Sequence, residues 1–520
     1  MKTAIIQSMT IDGDAAYQVL LARDARFDGH LFVGVTSTRI YCRPICRVRT
    51  PSRRNCRFFD TPAQAEAESF RPCLKCRPEI APGPGLPWTV MDASRTLARQ
   101  ASTLLDNGLA SGELPGLAAT ITDLASRLGV SDRHLRRIFF AEHGVTPLQY
   151  LQTRRLLLAK QLLTDTQMPV AQIALTSGFK SLRRFNAAFV DGYRMNPTRL
   201  RRASTARRPG GDSATPANEG DPITVTLGYR APHDHAALLA FLAARAIPGI
   251  ETVEALVVRR TIRAGAIGAA CGAGEPPQAS WLEARFVATE SKVRLAFAPS
   301  LGPASGAVIA AVRRWLDLDA SPDIIDAALA DLPGGPGLRL PGSVDGFELA
   351  VRAVLGQQVT VAGARTLARR LVERFGDDVV TPWADVNRAF PAPQALAAVP
   401  IERIAELGII RSRVGAIQAL ASAWPALTPM LASGAAAEPL VERLRELPGI
   451  GAWTAHYIAM RALGWPDAFP PGDVAALKAM RLLFATASAR DADARAQSWR
   501  PWRSYALLRL WNSLSIGALS

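Results

Sequence analysis

The chain contains no run of eighteen apolar residues, so the sequence offers no candidate for a membrane-spanning helix. The opening stretch MKTAIIQSMTIDGD reaches an acidic residue before any useful apolar segment, so no signal peptide is read there, and a reducing, cytoplasmic setting is expected. Cysteine is scarce, six in 520 residues, and five of the six lie within residues 42–76, four of them in two close pairs. In a reducing compartment such clusters are metal ligands or nucleophiles rather than disulfides. Acidic residues are also short at the front. Residues 1–210 hold 31 Lys+Arg against 16 Asp+Glu, whereas the remaining 310 hold 30 against 29. A basic front half points to a polyanionic partner, with nucleic acid ahead of an acidic membrane.

Against those absences stands an apolar content of 48%, ordinary for a globular chain, and a length too great for a single hydrophobic core. Turn-rich and Gly/Pro/Ser-rich breaks at 81–88 and 203–221 divide the chain. The expected organisation is 1–80, 89–202, a linker at 203–221, a small α/β domain at 222–332, and an all-α domain at 333–520. In the α/β part, ITVTLGY (223–229), ALVVRRTI (255–262), ARFVAT and KVRLAFA read as strands, and HAALLAFLAARAI (235–247) as a helix. The fold class expected is therefore multidomain and mainly α, with two small α/β units.

Cys42 and Cys46 form C-x3-C, Cys73 and Cys76 form C-x2-C, and 26 residues separate the pairs. Two short-spaced thiol pairs brought together by a fold suit one tetrahedral Zn2+. Cys56 and Cys271 lie outside this spacing and read as bystanders. A zinc site of four thiolates carries a net charge of about −2, electron-rich enough for a sulfur to attack an alkyl group. Arg39, Arg43, Arg47, Arg49, Arg53 and Arg54 surround the first pair and would draw a phosphate toward it.

FVGVTSTRIYCRPICRVR…FRPCLKCRPE closely resembles the N-terminal domain of the Ada family of bacterial DNA alkylation-response proteins, over about residues 20–79. The resemblance implies that Cys42 is both zinc ligand and acceptor of a methyl group from a DNA phosphotriester. Cys46, Cys73 and Cys76 are then ligands only, and Arg49 lies near the phosphate.

ITDLASRLGVSDRHLRRIFF (121–140) and VAQIALTSGFKSLRRFNAAF (170–189) share one plan: an apolar-periodic helix, a glycine turn (Gly129, Gly178), then a helix opening near a serine. GVTP and GYRMNP repeat behind them, and a helix over 149–164 joins the two units. This stretch resembles an AraC-type DNA-binding domain. Recognition helices would carry Ser131, Arg133, His134 and Arg136 in the first unit, and Lys180, Ser181, Arg183, Arg184 and Asn186 in the second.

ELPGIGAWTAHY (446–457) breaks one helix at Pro448, Gly449, Ile450 and Gly451 and starts another at once. Glycines let the backbone approach a phosphate, and the next helix presents its free N–H groups to the anion. This helix-hairpin-helix binds DNA without basic side chains, which accounts for a DNA-directed role in a nearly neutral half. AFPPGDVAALK places Asp473 at a turn ahead of a helix. Together with LPGSVDGFELAVRAVLGQQVTV (340–361) and WRPWRSYALL (499–508), these motifs resemble the AlkA family of 3-methyladenine DNA glycosylases over roughly 222–520. The resemblance implies that Trp453, Tyr457 and Trp502 line a pocket for a flipped, electron-poor base, and that the Asp473 carboxylate stabilises the sugar cation while water attacks. Three departures stand out. Gly472 replaces a second carboxylate, so Asp473 acts alone. Gln358 takes the place of the apolar wedge that fills the gap left by the base. Trp453 stands where lyase-type relatives carry lysine, so no strand cleavage is expected.

The sequence therefore predicts a monofunctional DNA-3-methyladenine glycosylase fused to a phosphotriester methyl acceptor and a sequence-specific DNA-binding activator. No Pro-Cys-His-Arg active site for methylated guanine oxygen is present. Expected partners are damaged duplex DNA, promoter DNA and RNA polymerase, with the chain a monomer. The competing expectation is an alkylation-sensing regulator whose glycosylase half only holds DNA.

Overall fold

The structure is a computed structural model, and it describes residues 12–83, 93–111, 117–205, 220–267, 279–431, 437–485 and 488–516. Cys271, most of the 203–221 linker and most of the 81–88 break lie outside the described residues.

The front unit opens with α1 (Gly13–Ala22) and holds a four-stranded sheet of order β3-β1-β2-β4. Its strands are β1 (Phe32–Val35), β2 (Ile40–Cys42), β3 (Cys56–Phe59) and β4 (Arg71–Pro72). A short helix, α2 (Pro62–Ala67), is started by Pro62 in its first turn and by Thr61, whose side chain accepts from Gln64 N. Phe32, Tyr41, Phe59, Ala65 and Phe70 form a small core. Gly34 on β1 is required there, since a Cβ would stand 2.7 Å from the Phe59 ring and 2.9 Å from that of Phe70. β2 and β4 run parallel, with Ile40 opposite Arg71 and Tyr41 opposite Pro72. The residue after each of these pairs is a cysteine, and Cys73 N donates to the Tyr41 carbonyl at 2.9 Å, so the sheet sets Cys42 and Cys73 side by side.

Seven helices follow: α3 (Ala93–Ser111), α4 (Leu117–Arg127), α5 (Asp132–His143), α6 (Pro147–Asp165), α7 (Val170–Thr176), α8 (Leu182–Tyr193) and α9 (Pro197–Thr205). The tandem repeat is real. Gly129 and Gly178 both adopt left-handed φ, +67° and +79°, between the two helices of each unit. The joining helix α6 runs slightly longer than expected because Thr146 and Gln149 form a capping box ahead of Pro147.

The third unit is an antiparallel sheet of order β5-β9-β8-β7-β6: β5 (Ile223–Gly228), β6 (Glu251–Glu254), β7 (Val257–Arg263), β8 (Ala279–Val287) and β9 (Lys292–Phe297). Helix α10 (His235–Arg245) lies where the sequence placed it. Two differences emerge. Strand β6 was not anticipated, because its four residues, two of them acidic, carry no apolar alternation. Helical structure also resumes well before Pro333, with α11 (Ser305–Trp315) and α12 (Pro322–Ala328).

The last unit comprises α13 (Gly346–Leu355), α14 (Val361–Phe375), a two-strand hairpin β10 (Asp377–Asp378) and β11 (Arg388–Ala389), then α15 (Pro393–Ala398), α16 (Ile401–Ala405), α17 (Arg411–Leu427), α18 (Ala437–Arg445), α19 (Ala452–Leu463), α20 (Val474–Phe484), α21 (Ala489–Ala496) and α22 (Arg503–Ile516). Their inner faces share one core that includes Val354, Leu371, Ile417, Leu420, Ile458 and Leu507, all fully buried.

Buried polar groups join the front unit to the α/β sheet. Asp165, at the end of α6, accepts from Arg77 Nη1 at 2.7 Å and from Thr226 N on β5 at 3.0 Å. The fully buried guanidinium of Arg230 donates to the carbonyls of Asp28 (2.9 Å), Asp319 (2.7 Å) and Gly83. Gly228 lies so close to the Ile80 carbonyl that a Cβ would stand 2.4 Å from its oxygen.

Candidate active sites

The sulfurs of Cys42, Cys46, Cys73 and Cys76 lie within 4.8 Å of one another. Four thiolates bound at about 2.3 Å to a tetrahedral zinc stand about 3.8 Å apart, so the set fits one Zn2+. Backbone N–H groups support the sulfurs: Arg43 N donates to Cys76 Sγ at 3.3 Å and Lys75 N to Cys73 Sγ at 3.4 Å. Cys56 is buried on β3, gives its S–H to the Ser52 carbonyl at 3.4 Å, and stays out of the set.

The arginines divide into two kinds. Arg43 is buried, with its Nε 2.7 Å from Asp28 Oδ1, a second bond to Asp28 Oδ2, and Nη1 donating to the Cys76 carbonyl at 3.1 Å. It braces the cysteine loop and is not placed to meet a phosphate, contrary to the expectation from sequence. Arg39, Arg47, Arg49 and Arg54 are exposed around the same loop.

In the helix-turn-helix units, Arg133 and Arg136 on α5, and Lys180, Arg183, Arg184 and Asn186 at α8, all face solvent. His134 is half-buried, its Nδ1 3.1 Å from Arg137 Nη2. Ser131 and Ser181 are used differently from the expectation. Each caps its helix, its hydroxyl oxygen accepting from His134 N (3.3 Å) and Arg184 N (3.2 Å) respectively.

At the hairpin between α18 and α19, Gly449 adopts φ +78°, and a Cβ there would stand 2.8 Å from that of Ala416. Ile450 plugs the turn from inside, 4% exposed, with its N–H given to the Leu447 carbonyl. Pro448, Gly449 and Gly451 face solvent, and Gly451 opens α19, whose first-turn N–H groups have no partner within the helix.

In the first two turns of α19, the Trp453 and Tyr457 rings stack at 5.1 Å and 9°. Trp453 Nε1 donates to Asp473 Oδ2 at 2.8 Å. Asp473 caps α20, with Oδ1 accepting from Ala476 N at 2.7 Å, and it is 6% exposed. A third donor was not foreseen: Trp511 Nε1, on α22, reaches Asp473 Oδ1 at 3.0 Å, and its ring lies 6.5 Å from that of Tyr457. Trp502 is not part of this cluster. It is packed into the helical core with its ring edge-on to Tyr505 at 5.9 Å. The signal available in the sequence was a further tryptophan on the same helical run, in LLRLW. Behind the stack, Arg461 gives Nη1 to the Tyr457 hydroxyl at 2.9 Å and anchors Nε and Nη2 on the carbonyls of Pro341 and Gly342. Burial alone would raise the Tyr457 phenol, but Arg461 and Arg245 outweigh it and hold the group below its ordinary value. Phe241 of α10 lies under both guanidiniums, so the α/β unit packs behind the stacked rings.

Gln358 is exposed at the turn between α13 and α14 with φ +53°, beside the hairpin.

A buried carboxylate held by indole and backbone N–H groups beside stacked aromatics, on a helix-hairpin-helix, defines a base-excision DNA glycosylase. The thiol cluster and paired helix-turn-helices add an alkylation-response module to it. Family models agree: the metal-binding domain of Ada matches residues 15–79, a helix-turn-helix domain 124–203, the AlkA N-terminal domain 224–345, and the HhH-GPD superfamily base excision DNA repair protein 351–504. The probable bifunctional transcriptional activator/DNA repair enzyme AlkA of Mycobacterium tuberculosis is 35% identical over 510 residues, 97% of each chain. DNA-3-methyladenine glycosylase 2 of Escherichia coli is 34% identical over 55% of this chain and 96% of its own. The bifunctional transcriptional activator/DNA repair enzyme AdaA of Bacillus subtilis is 27% identical over 37% of this chain and 83% of its own. The chain belongs to the family of bifunctional AlkA/Ada transcriptional activator/DNA repair enzymes.

Proposed function

We propose that the C-terminal half excises alkylated bases such as 3-methyladenine by hydrolysis, and that the front unit takes a methyl group from a DNA phosphotriester onto Cys42. The observation that carries the first part is the Asp473 carboxylate, fixed by Trp453, Trp511 and Ala476 at the stacked rings. A flipped, alkylated purine stacks against Trp453 and Tyr457 and leaves with the electrons of its bond to C1′. The carboxylate stabilises the sugar cation that remains, and water adds its oxygen to C1′ and releases a proton. Trp453 stands at the hairpin with no amine to form a Schiff base, so the reaction ends at the abasic site.

In the front unit the Cys42 sulfur bonds to the methyl carbon, the carbon–oxygen bond breaks, and the phosphate leaves as an ordinary diester anion. Zinc, when bound, keeps the four sulfurs as thiolates. Arg47 and Arg49 are exposed where they can hold the phosphate, while Arg43 holds the loop in shape. The thioether has no route back, so each chain reacts once. Arg133, His134, Arg136, Lys180, Arg183 and Arg184 then direct the protein to promoter DNA, where RNA polymerase is the expected partner.

Base release and methyl transfer, measured separately on the purified full chain, test both halves. Release of 3-methyladenine together with label on Cys42 is expected. Label without release would leave a regulator with a DNA-holding half.

A further inference from the structure

Strands β8 and β9 turn their apolar side chains inward, with Leu282, Ala284 and Phe286 paired with Phe297, Leu295 and Val293, all buried. The alternate residues stand on the other face, and there the register sets Arg285 directly opposite Arg294, both exposed. Like charges directly across two strands repel, so this is not a pairing that folding favours. The acids nearby do not cancel it. Glu283 accepts from Arg285 at 3.0 Å but is shared with Arg259 at 2.9 Å. Glu290 is taken by Lys292, at 2.7 Å. Among the described residues, no hydrogen bond or ion pair reaches the Arg294 guanidinium.

This face runs up to the cysteine site. Lys292, at the start of β9, pairs with Gly228 of β5. A Cβ on Gly228 would stand 2.4 Å from the Ile80 carbonyl oxygen and 3.7 Å from Nη2 of Arg43, the residue after Cys42. Cross-strand partners and residues two apart share a face. Gly228, Lys292, Arg294 and Arg285 therefore all lie on the side against which the front unit packs. The exposed Arg47, next to Cys46, belongs to the same group of charges. A hydrogen bond from Lys292 leads in holding the Glu290 carboxyl below its ordinary value, and Arg294 and Arg47 act in the same direction. Four bases, Arg47, Lys292, Arg294 and Arg285, thus stand against the two carboxylates Glu283 and Glu290.

An anion lying between two guanidiniums relieves their repulsion, and the planar fork of arginine matches a phosphate with two parallel N–H bonds. A duplex whose phosphotriester reaches Cys42 continues past that site as a row of further phosphates, one for about every 3.4 Å of axis along each strand. We propose that the outer face of β8 and β9 binds the sugar–phosphate backbone flanking the phosphotriester, with Arg285 and Arg294 on its phosphates. The α/β unit of the C-terminal half then helps to seat the substrate of the front unit. The contact is to backbone alone and carries no sequence preference. This assignment rests on the reading of Cys42 as methyl acceptor.

The zinc-loaded full chain is compared with its Arg285→Gln Arg294→Gln variant. Both side chains are exposed and the change removes a repulsion, so the variant should melt no lower than the parent. Transfer of label from a methylphosphotriester duplex to Cys42 is followed at limiting and at saturating DNA over a range of salt. At limiting DNA the variant's rate constant should fall by roughly two- to twentyfold, as the loss of two exposed ion pairs would give. The slope of its logarithm against log salt should shrink by about 0.9 for each arginine that meets a phosphate. At saturating DNA the two chains should transfer at the same rate, because the chemistry at Cys42 is untouched. Arg294→Glu sets opposite charges across the strands, so it should keep the sheet and lower the limiting rate further than Arg294→Gln. A limiting rate and a salt slope equal to the parent's overturn the proposal. If the parent leaves Cys42 unlabelled, the methyl-acceptor reading fails, and equilibrium binding of the same duplex judges the surface. A smaller salt slope in the variant then keeps it, and an equal slope overturns it.

Discussion

Trp511 and Asp473 are 38 residues apart in the chain, yet the Trp511 indole Nε1 stands 3.0 Å from Asp473 Oδ1. Trp453 serves Oδ2, so both carboxylate oxygens have fixed directions. Asparagine is isosteric with aspartate, but its amide would set N–H against N–H at one of the two indoles. Asp473→Asn should therefore cap α20 nearly as well as the parent, while single-turnover release of 3-methyladenine falls by about 10²–10³ or more. Activity within a few-fold of the parent would reduce Asp473 to a helix cap.

Trp511→Phe keeps an aromatic ring and removes the N–H. A hydrogen bond to a charged group is worth about 1.5–3 kcal/mol, so release should drop by about 10- to 100-fold. Trp502→Phe provides the contrast. That residue packs against Tyr505, so its loss should lower the melting temperature and leave the release rate of the folded protein near normal.

Metal analysis of the purified chain should find one zinc, lost from a Cys73→Ala Cys76→Ala variant. Peptide mapping after exposure to methylphosphotriester DNA should place the methyl on Cys42 rather than Cys46 or Cys56. Neutralising one thiolate takes the site from about −2 to −1, so DNA affinity should rise, most at low salt. A methyl found on Cys46 would remove the acceptor assignment.

Asp345 caps α13, its Oδ1 accepting from Glu348 N at 3.0 Å, and it is buried. Burial, then the neighbouring Glu348, push its carboxyl up to about 6. A carboxyl raised above its unfolded value binds its proton more tightly in the folded state. Its ionisation therefore costs stability as pH climbs from about 4 to 6, and the full penalty stands above that window. Asp345→Asn, which keeps the cap, should flatten this slope and gain on the order of 1–3 kcal/mol above pH 6. Urea melts of both proteins at pH 4 and pH 7 check the sign.

Arg230 ties the front unit to the α/β sheet through the carbonyls of Asp28, Asp319 and Gly83. Arg230→Met should leave these acceptors unpaired and lower stability by roughly 3 kcal/mol. If the two halves unfold as one unit, the main transition shifts as a whole. A thermal melt identical to the parent's would show that this joint carries no load.

Local chemistry was enough to read the four thiol ligands, the paired glycine turns, the hairpin and Asp473 ahead of its helix. Each depends on close spacing: two cysteines three or four apart, a glycine where φ must be positive, a carboxylate one residue before a helix. What the sequence could not settle is which side chains meet across long separations. Arg47 and Arg43 look alike in CRPICR, but only the fold places Asp28 against one of them and buries the pair. Ser131 and Ser181 look like base readers until the backbone shows them capping their own helices. Trp502 stands just before α22 and Trp511 on it, and the packing of α22 beside Asp473 and Tyr457 decides which indole reaches the carboxylate. Nothing local marks Asp165 or Arg230 as joints, since their partners come from other units of the chain. A buried polar group must find a partner somewhere, and where that partner stands is set by the packing of whole elements rather than by neighbours in sequence.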